Sequence, residues 1–310
     1  MPFRTRAVLF LMAACTASLA AQTPVQKKPT PPNTTFVRHV NEVNIVFAAT
    51  NKHGKYLTGI KPAYLKVYDN NKLQKIKQLF TENDVPLRLA LVLDTSTSVQ
   101  VRFHFEQQAA ISFLETIVRK GLDKAMVVAF DTRVTVEQPM TDNVHQLAHA
   151  IRGLSANGGT ALYDAVYYTI RNELLKSGGP HVRRVMVIIS DGADDASTVS
   201  LDRALRLAES TGVVIFAIST DPTGIDAHND EVMNSFAAAT GGLFFFPFRA
   251  NALGRMFTKI SYELRHEYVL TYEPNNFVPN GAFHRVRIEP KFGGIRIRAR
   301  RGYFASLIRN

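Results

Sequence analysis

Apolar and polar positions change rhythm twice along this chain. Between Val40 and Phe80 they alternate in short runs. Val43–Ala49 and Tyr64–Tyr68 read as strands, Asn51–Lys55 and Asp69–Asn71 as turns, and Leu73–Phe80 resumes the alternation. From Leu89 the pattern becomes solid apolar runs separated by helical spacing. Leu89–Asp94, Lys124–Asp131, Arg184–Asp191, Val213–Ser219 and Leu243–Phe246 read as strands, with Val134–Gln138 an alternating edge strand. Helices are expected over Phe103–Lys120, Asn143–Arg152, Ala161–Lys176, Leu201–Thr211, Asp230–Thr240 and Leu253–Leu264. In the first of these, Phe105, Ala109, Ser112, Phe113, Thr116 and Ile117 point towards one side. After Arg265 the alternation returns in Glu267–Glu273, Phe283–Pro290 and Ile295–Arg300. The last two, joined through Gly293-Gly294, read as a hairpin with one basic and one buried face.

Strands alternating with helices imply βαβ units, so the fold class is α/β with a doubly wound, mostly parallel sheet. The β units before and after it are expected to pack together as one small sandwich, because the ends of an inserted domain usually lie close together. The expected organisation is a signal peptide over 1–21, a Pro-rich linker over 22–39, a β segment over 40–84, the α/β domain over 85–265 and a β segment over 266–310. Arg4 and Arg6 precede a short apolar run, and Ser18-Leu19-Ala20 offers a cleavage site. A secreted or periplasmic location follows, with lipid attachment at Cys15 as the alternative. That run is too short to span a bilayer as a helix, and no later stretch is long and apolar enough. Cys15 is the sole cysteine among 310 residues, so the mature chain forms no internal disulfide.

Chemistry gathers where strands end. Asp94, Ser96 and Ser98 leave Leu89–Asp94 at alternate positions. Gly158-Gly159-Thr160 precedes a helix, and Asp191 follows the most apolar strand. In a doubly wound sheet all three segments reach the C-terminal edge, where ligands bind. Hard oxygen donors with few charges suit Mg²⁺ or Mn²⁺ rather than a soft metal.

Asp94-x-Ser96-x-Ser98, then Thr160, then Asp191 resembles the metal-ion-dependent adhesion site of the von Willebrand factor type A (VWA) family. The resemblance covers about Leu89 to Leu264. It implies direct coordination by Ser96, Ser98 and Thr160, with Asp94 and Asp191 acting mainly through water. An open position is left for an acidic side chain of a protein partner. Thr97, Gly159 and Asp221 are further candidates around the ligand. The flanks, through Thr58-Gly59-Ile60, Leu65–Asp69, Gln74-Lys75-Ile76, Tyr268–Tyr272 and Arg298–Tyr303, are similar to those of secreted bacterial VWA-related proteins.

Other signals are weaker. His145 and His149 have zinc-like spacing, but Gln146 stands where a general-base Glu would be, and they read as surface histidines. Asp194 and Asp195 follow Asp191 and could extend the site, but they read as caps of the following helix or as solvated. There is no nucleophile elbow or phosphate loop, and no histidine lies in the three motif segments, so an enzyme is not expected. The net charge of +11 is concentrated late, in Arg285, Arg287, Arg296, Arg298, Arg300 and their neighbours. A solvated strand face accounts for them; the alternative is contact with an anionic glycan or envelope surface. No nucleic-acid partner is expected.

Overall fold

The computed structural model describes residues 42–81, 85–179, 182–221, 227–246, 252–275 and 277–305. The expected leader, with Cys15, and the linker lie outside these residues.

Six strands form the central sheet: β5 (Leu87–Asp94), β6 (Lys124–Phe130), β7 (Val134–Thr141), β8 (Arg183–Ser190), β9 (Val214–Ser219) and β10 (Phe244–Phe245), in the order β10-β9-β8-β5-β6-β7. All pairs are parallel except β6–β7. Buried on both faces, β5 and β8 have no room for polar alternation, which is why they read as unbroken apolar runs. Helices α1 (Phe103–Ile117), α2 (Val144–Gly153) and α6 (Leu253–Leu264) cover one face. The other is covered by α3 (Leu162–Tyr168), α4 (Leu201–Thr211) and α5 (Ala227–Thr240). The helix expected to run unbroken to Lys176 instead continues past α3 through a wide turn at 169–173 and a tight one at 174–176. From β5 the chain moves to β6 on one side and later returns to β8 on the other. The crevice at the C-terminal ends of β5 and β8 is therefore the topological switch point.

The flanks do form one sandwich. One sheet is ordered β13-β1-β11-β4, from β13 (Ile295–Ala299), β1 (Val43–Asn51), β11 (Glu267–Tyr272) and β4 (Ile76–Thr81). The other is ordered β14-β12-β2-β3, from β14 (Gly302–Phe304), β12 (Phe283–Pro290), β2 (Leu65–Asp69) and β3 (Lys72–Gln74). Ile45, Phe47 and Val67 from before the core pack with Leu270, Tyr272 and Ile288 from after it. At its centre Asp69, 4% exposed, accepts hydrogen bonds from the hydroxyls of Tyr272 (2.9 Å) and Tyr303 (2.7 Å) and lies 2.8 Å from His284 Nδ1. The α/β core is inserted between β4 and β11, which are themselves paired antiparallel.

Two expectations are corrected. Leu73–Phe80 is not one strand, because β3 and β4 part at Lys75 and enter different sheets. Nor do β12 and β13 make a hairpin. β12 pairs with β2 and β14, β13 pairs with β1, and Gly293-Gly294 carries the chain from one sheet to the other. Alternation along each strand reports its buried face but not its partner.

Candidate functional site

Asp94 ends β5 with no exposed surface. One carboxylate oxygen accepts the Ser96 N–H at 2.8 Å and the other accepts the Ser190 hydroxyl at 2.6 Å. Burial raises the Asp94 carboxyl to about 6; the Ser190 and Ser96 bonds oppose the rise and nearby Asp191 adds to it. A single 3-10 turn over 97–99 then brings the Ser96 and Ser98 hydroxyl oxygens to 2.9 Å.

The Gly-rich loop is stitched against this turn. Asn157 N–H donates to the Thr95 carbonyl at 2.6 Å, while the Thr97 N–H and hydroxyl both donate to the Gly158 carbonyl, at 3.1 and 3.0 Å. Gly158 adopts φ +84°, and Gly159 N–H donates to the Thr132 hydroxyl at 3.0 Å. Thr160 is 4% exposed and clamped through its backbone. Its N–H donates to Asp195 Oδ1 at 2.7 Å, and its carbonyl accepts from the N–H groups of Asp195 and Ala196.

After β8, Ser190 also accepts the Gly192 N–H at 3.0 Å, and Asp191 accepts the Ala193 N–H at 3.1 Å. Gly192 has φ +83°, and a Cβ there would lie 2.6 Å from the Asn229 carbonyl oxygen, so the close turn of the chain demands glycine. Asp194 accepts the Tyr163 N–H at 3.1 Å and the Ser197 hydroxyl at 2.6 Å. This corrects the expectation that Asp194 and Asp195 cap the following helix, while Asp195 is exposed, as the alternative has it. They hold the start of α3 and the Thr160 loop, whereas the following helix, α4, is capped by Ser200.

These three segments therefore meet at one edge, in the order and context of a known domain. The profile of the von Willebrand factor type A domain matches residues 89–259, more than half of the chain. The chain belongs to this family. An uncharacterized protein of Synechocystis sp. is 28% identical over 162 residues, a match spanning 51% of this chain and 37% of that protein. Among solved structures, a von Willebrand factor type A protein from Catenulispora acidiphila aligns with a TM-score of 0.50 at 13% identity, over 76% of this chain and 72% of its own. The vWF domain of the type V pili tip protein Mfa5 from Porphyromonas gingivalis also aligns at 0.50 and 13%, over 58% of this chain and 95% of its own. At such identities the likeness is one of fold.

One residue at the VWA edge escapes a reading by motif. Glu106 of α1 is 2% exposed, whereas Phe105 beside it is 58% exposed. The buried side of α1 is Phe103, Glu106, Ala110, Ile111, Phe113, Leu114 and Ile117, a side rotated away from the expected Phe105. Of the expected side, Phe113 and Ile117 are buried and Ala109 packs against the core, whereas Phe105, Ser112 and Thr116 are exposed. The Ala110, Phe113, Leu114, Ile117 spacing, extended back one turn, would have located Glu106. Burial, with Asp94 and Asp191 nearby, raises its carboxyl to about 8, against the pull of Arg102.

Asp221 lies one strand away after β9, 8% exposed, beside Thr220, whose carbonyl accepts from Arg102 at 3.3 Å. Among the described residues no three His, Cys, Asp or Glu side chains form a metal cage, so hydroxyls must supply much of any donor set. The hydroxyl pair fits such a set. The Ser96 and Ser98 hydroxyls are hydrogen-bonded to each other at 2.9 Å, a separation that neighbouring corners of an octahedron with Mg–O bonds of about 2.1 Å also accept. His145 and His149 are exposed on α2.

The arginine cluster divides. Arg285, Arg287 and Arg296 are exposed, with Arg287 2.8 Å from Glu289. Arg298 turns inward to Glu263 and to the carbonyls of Gly241 and Gly242, and Arg300 donates to the Asn44 carbonyl at 2.8 Å. Their sequence alternation conceals two structural arginines.

Proposed function

We propose that this VWA protein binds Mg²⁺ or Mn²⁺ through Asp94, Ser96, Ser98, Thr160 and Asp191, and through the cation captures an acidic side chain of a protein partner outside the cytoplasm. The reading rests on the convergence of the Ser96 and Ser98 hydroxyls beside a fully buried carboxylate at the strand edge. Both Asp94 oxygens already accept hydrogen bonds, so it serves best by holding the loop and adding charge from behind. A cation held largely by neutral hydroxyls keeps its attraction for an incoming carboxylate. Apolar surface adjoins the edge, since Val101 is 93% and Phe105 58% exposed, as suits a protein partner. We propose binding rather than catalysis, because the motif segments offer no histidine as a general base.

Calorimetric titration of Mg²⁺ and Mn²⁺ tests this. Binding is expected in the wild type and lost in Asp94→Ala and Thr160→Ala. Binding that persists in both variants, or none in the wild type, overturns it.

A second reading has an observation of its own. A cleft of about 300 Å³ is lined by Thr50, Tyr56, Lys259 and Arg296. Lys259 lies over the Phe245 ring at 5.4 Å, and Tyr56 packs on Tyr262 at 5.3 Å. Cations beside aromatic faces suit an acidic saccharide. Salt-sensitive glycan binding that survives Asp94→Ala and is lost in Lys259→Ala/Arg296→Ala would support this reading.

A further inference from the structure

Glu106 stands out among the buried polar groups. It is 2% exposed, and neither carboxylate oxygen has a hydrogen-bond partner. Leaving a carboxylate buried and unpaired is costly. Asp69 shows how this chain otherwise treats one, with two tyrosine hydroxyls and a histidine around it. The electrostatic neighbours of Glu106 are two carboxylates of its own sign, Asp94 and Asp191, against one cation, Arg102. Three carboxylates against one cation leave this edge short of positive charge, which a bound cation would supply.

We propose that Glu106 is an additional residue of the cation site, acting from outside the coordination sphere: its carboxylate accepts hydrogen bonds from cation-bound water and supplies a third negative charge. This rests on the cation reading above and goes beyond it, since none of the five motif positions lies on α1. Groups that orient and polarise metal-bound ligands typically change affinity by about 10- to 100-fold.

The test uses the full chain. Mn²⁺ and Mg²⁺ affinities are measured by calorimetry for the wild type, Glu106→Gln, Glu106→Leu and Asp94→Ala, with metal-free melting of each. Affinity in Glu106→Gln is expected to fall by about tenfold or more, while its metal-free melting temperature holds. Glu106→Leu should follow the same pattern. Unchanged affinity in both Glu106 variants, with binding lost in Asp94→Ala, overturns this proposal and leaves the cation reading intact. No binding in the wild type overturns both. Loss of a cooperative metal-free melt in both Glu106 variants would make the residue structural and also overturn it.

Discussion

Asp94 and Glu106 give the metal-free protein a defined pH response. Both carboxyls are raised by burial, from 3.8 to about 6 and from 4.5 to about 8. A carboxyl raised on folding stabilises while protonated. Its contribution is therefore fully present below about pH 4 and is lost as pH rises through the folded values to about pH 8. At about 1.4 kcal/mol per unit, Asp94 alone corresponds to about 3 kcal/mol. In chelator the melting temperature should fall across this window, and excess Mg²⁺ should reduce the share due to Asp94 and Glu106 while leaving that of Glu263, which burial also raises to about 8. A melting temperature independent of pH in chelator would contradict it. Gly192→Ala should cost about 2 kcal/mol or more in chemical denaturation, by forcing a Cβ against the Asn229 carbonyl at positive φ. At this scale the motif residues were legible because their order and strand-end context are local signals. Glu106 was not, since no propensity predicts a buried unpaired carboxylate; only the phase of its apolar neighbours marks it.

Between elements, the joint of core and sandwich is ionic. Arg183, where β8 begins, pairs with Glu267 of β11 and donates to the Leu264 carbonyl at 2.8 Å. Arg298 of β13 pairs with Glu263 of α6 and lies 3.7 Å from Glu267. Glu263 and Glu267 are at most 1% exposed. Breaking a buried pair strands its partner, so Arg298→Ala should cost about 3–5 kcal/mol in chemical denaturation. Arg296→Ala, two residues away and exposed, should stay within about 0.5 kcal/mol. Equal effects would refute the division of the arginine cluster. Strands and helices were largely readable from periodicity, and α4 and α6 have the expected bounds. Strand partnership was not. Gly293-Gly294 looks the same whether a chain folds back within a sheet or crosses to the opposite one, and long-range partners such as Glu263 decide which.

In the whole molecule, two distant stretches of chain share one sandwich. β1 pairs with β11 from Val43↔Tyr272 to Ala48↔Glu267, and with β13 on its other side. Removing residues 266–310 would strip both partners from β1 and the β12 partner from β2. The shortened chain is expected to lose protection of residues 43–81 in hydrogen exchange. Retained protection there would show the N-terminal strands to be self-sufficient.

The insertion between β4 and β11 also sets a mechanical path. Tension applied at residues 43 and 305 enters and leaves through sandwich strands. The core, attached by two adjoining antiparallel strands, hangs beside that path as an unloaded loop. A pull along the chain must first unzip β4 from β11 before force reaches the edge where Asp94, Ser96 and Ser98 sit. Tension at those two ends therefore strains the sandwich strands before it strains that edge.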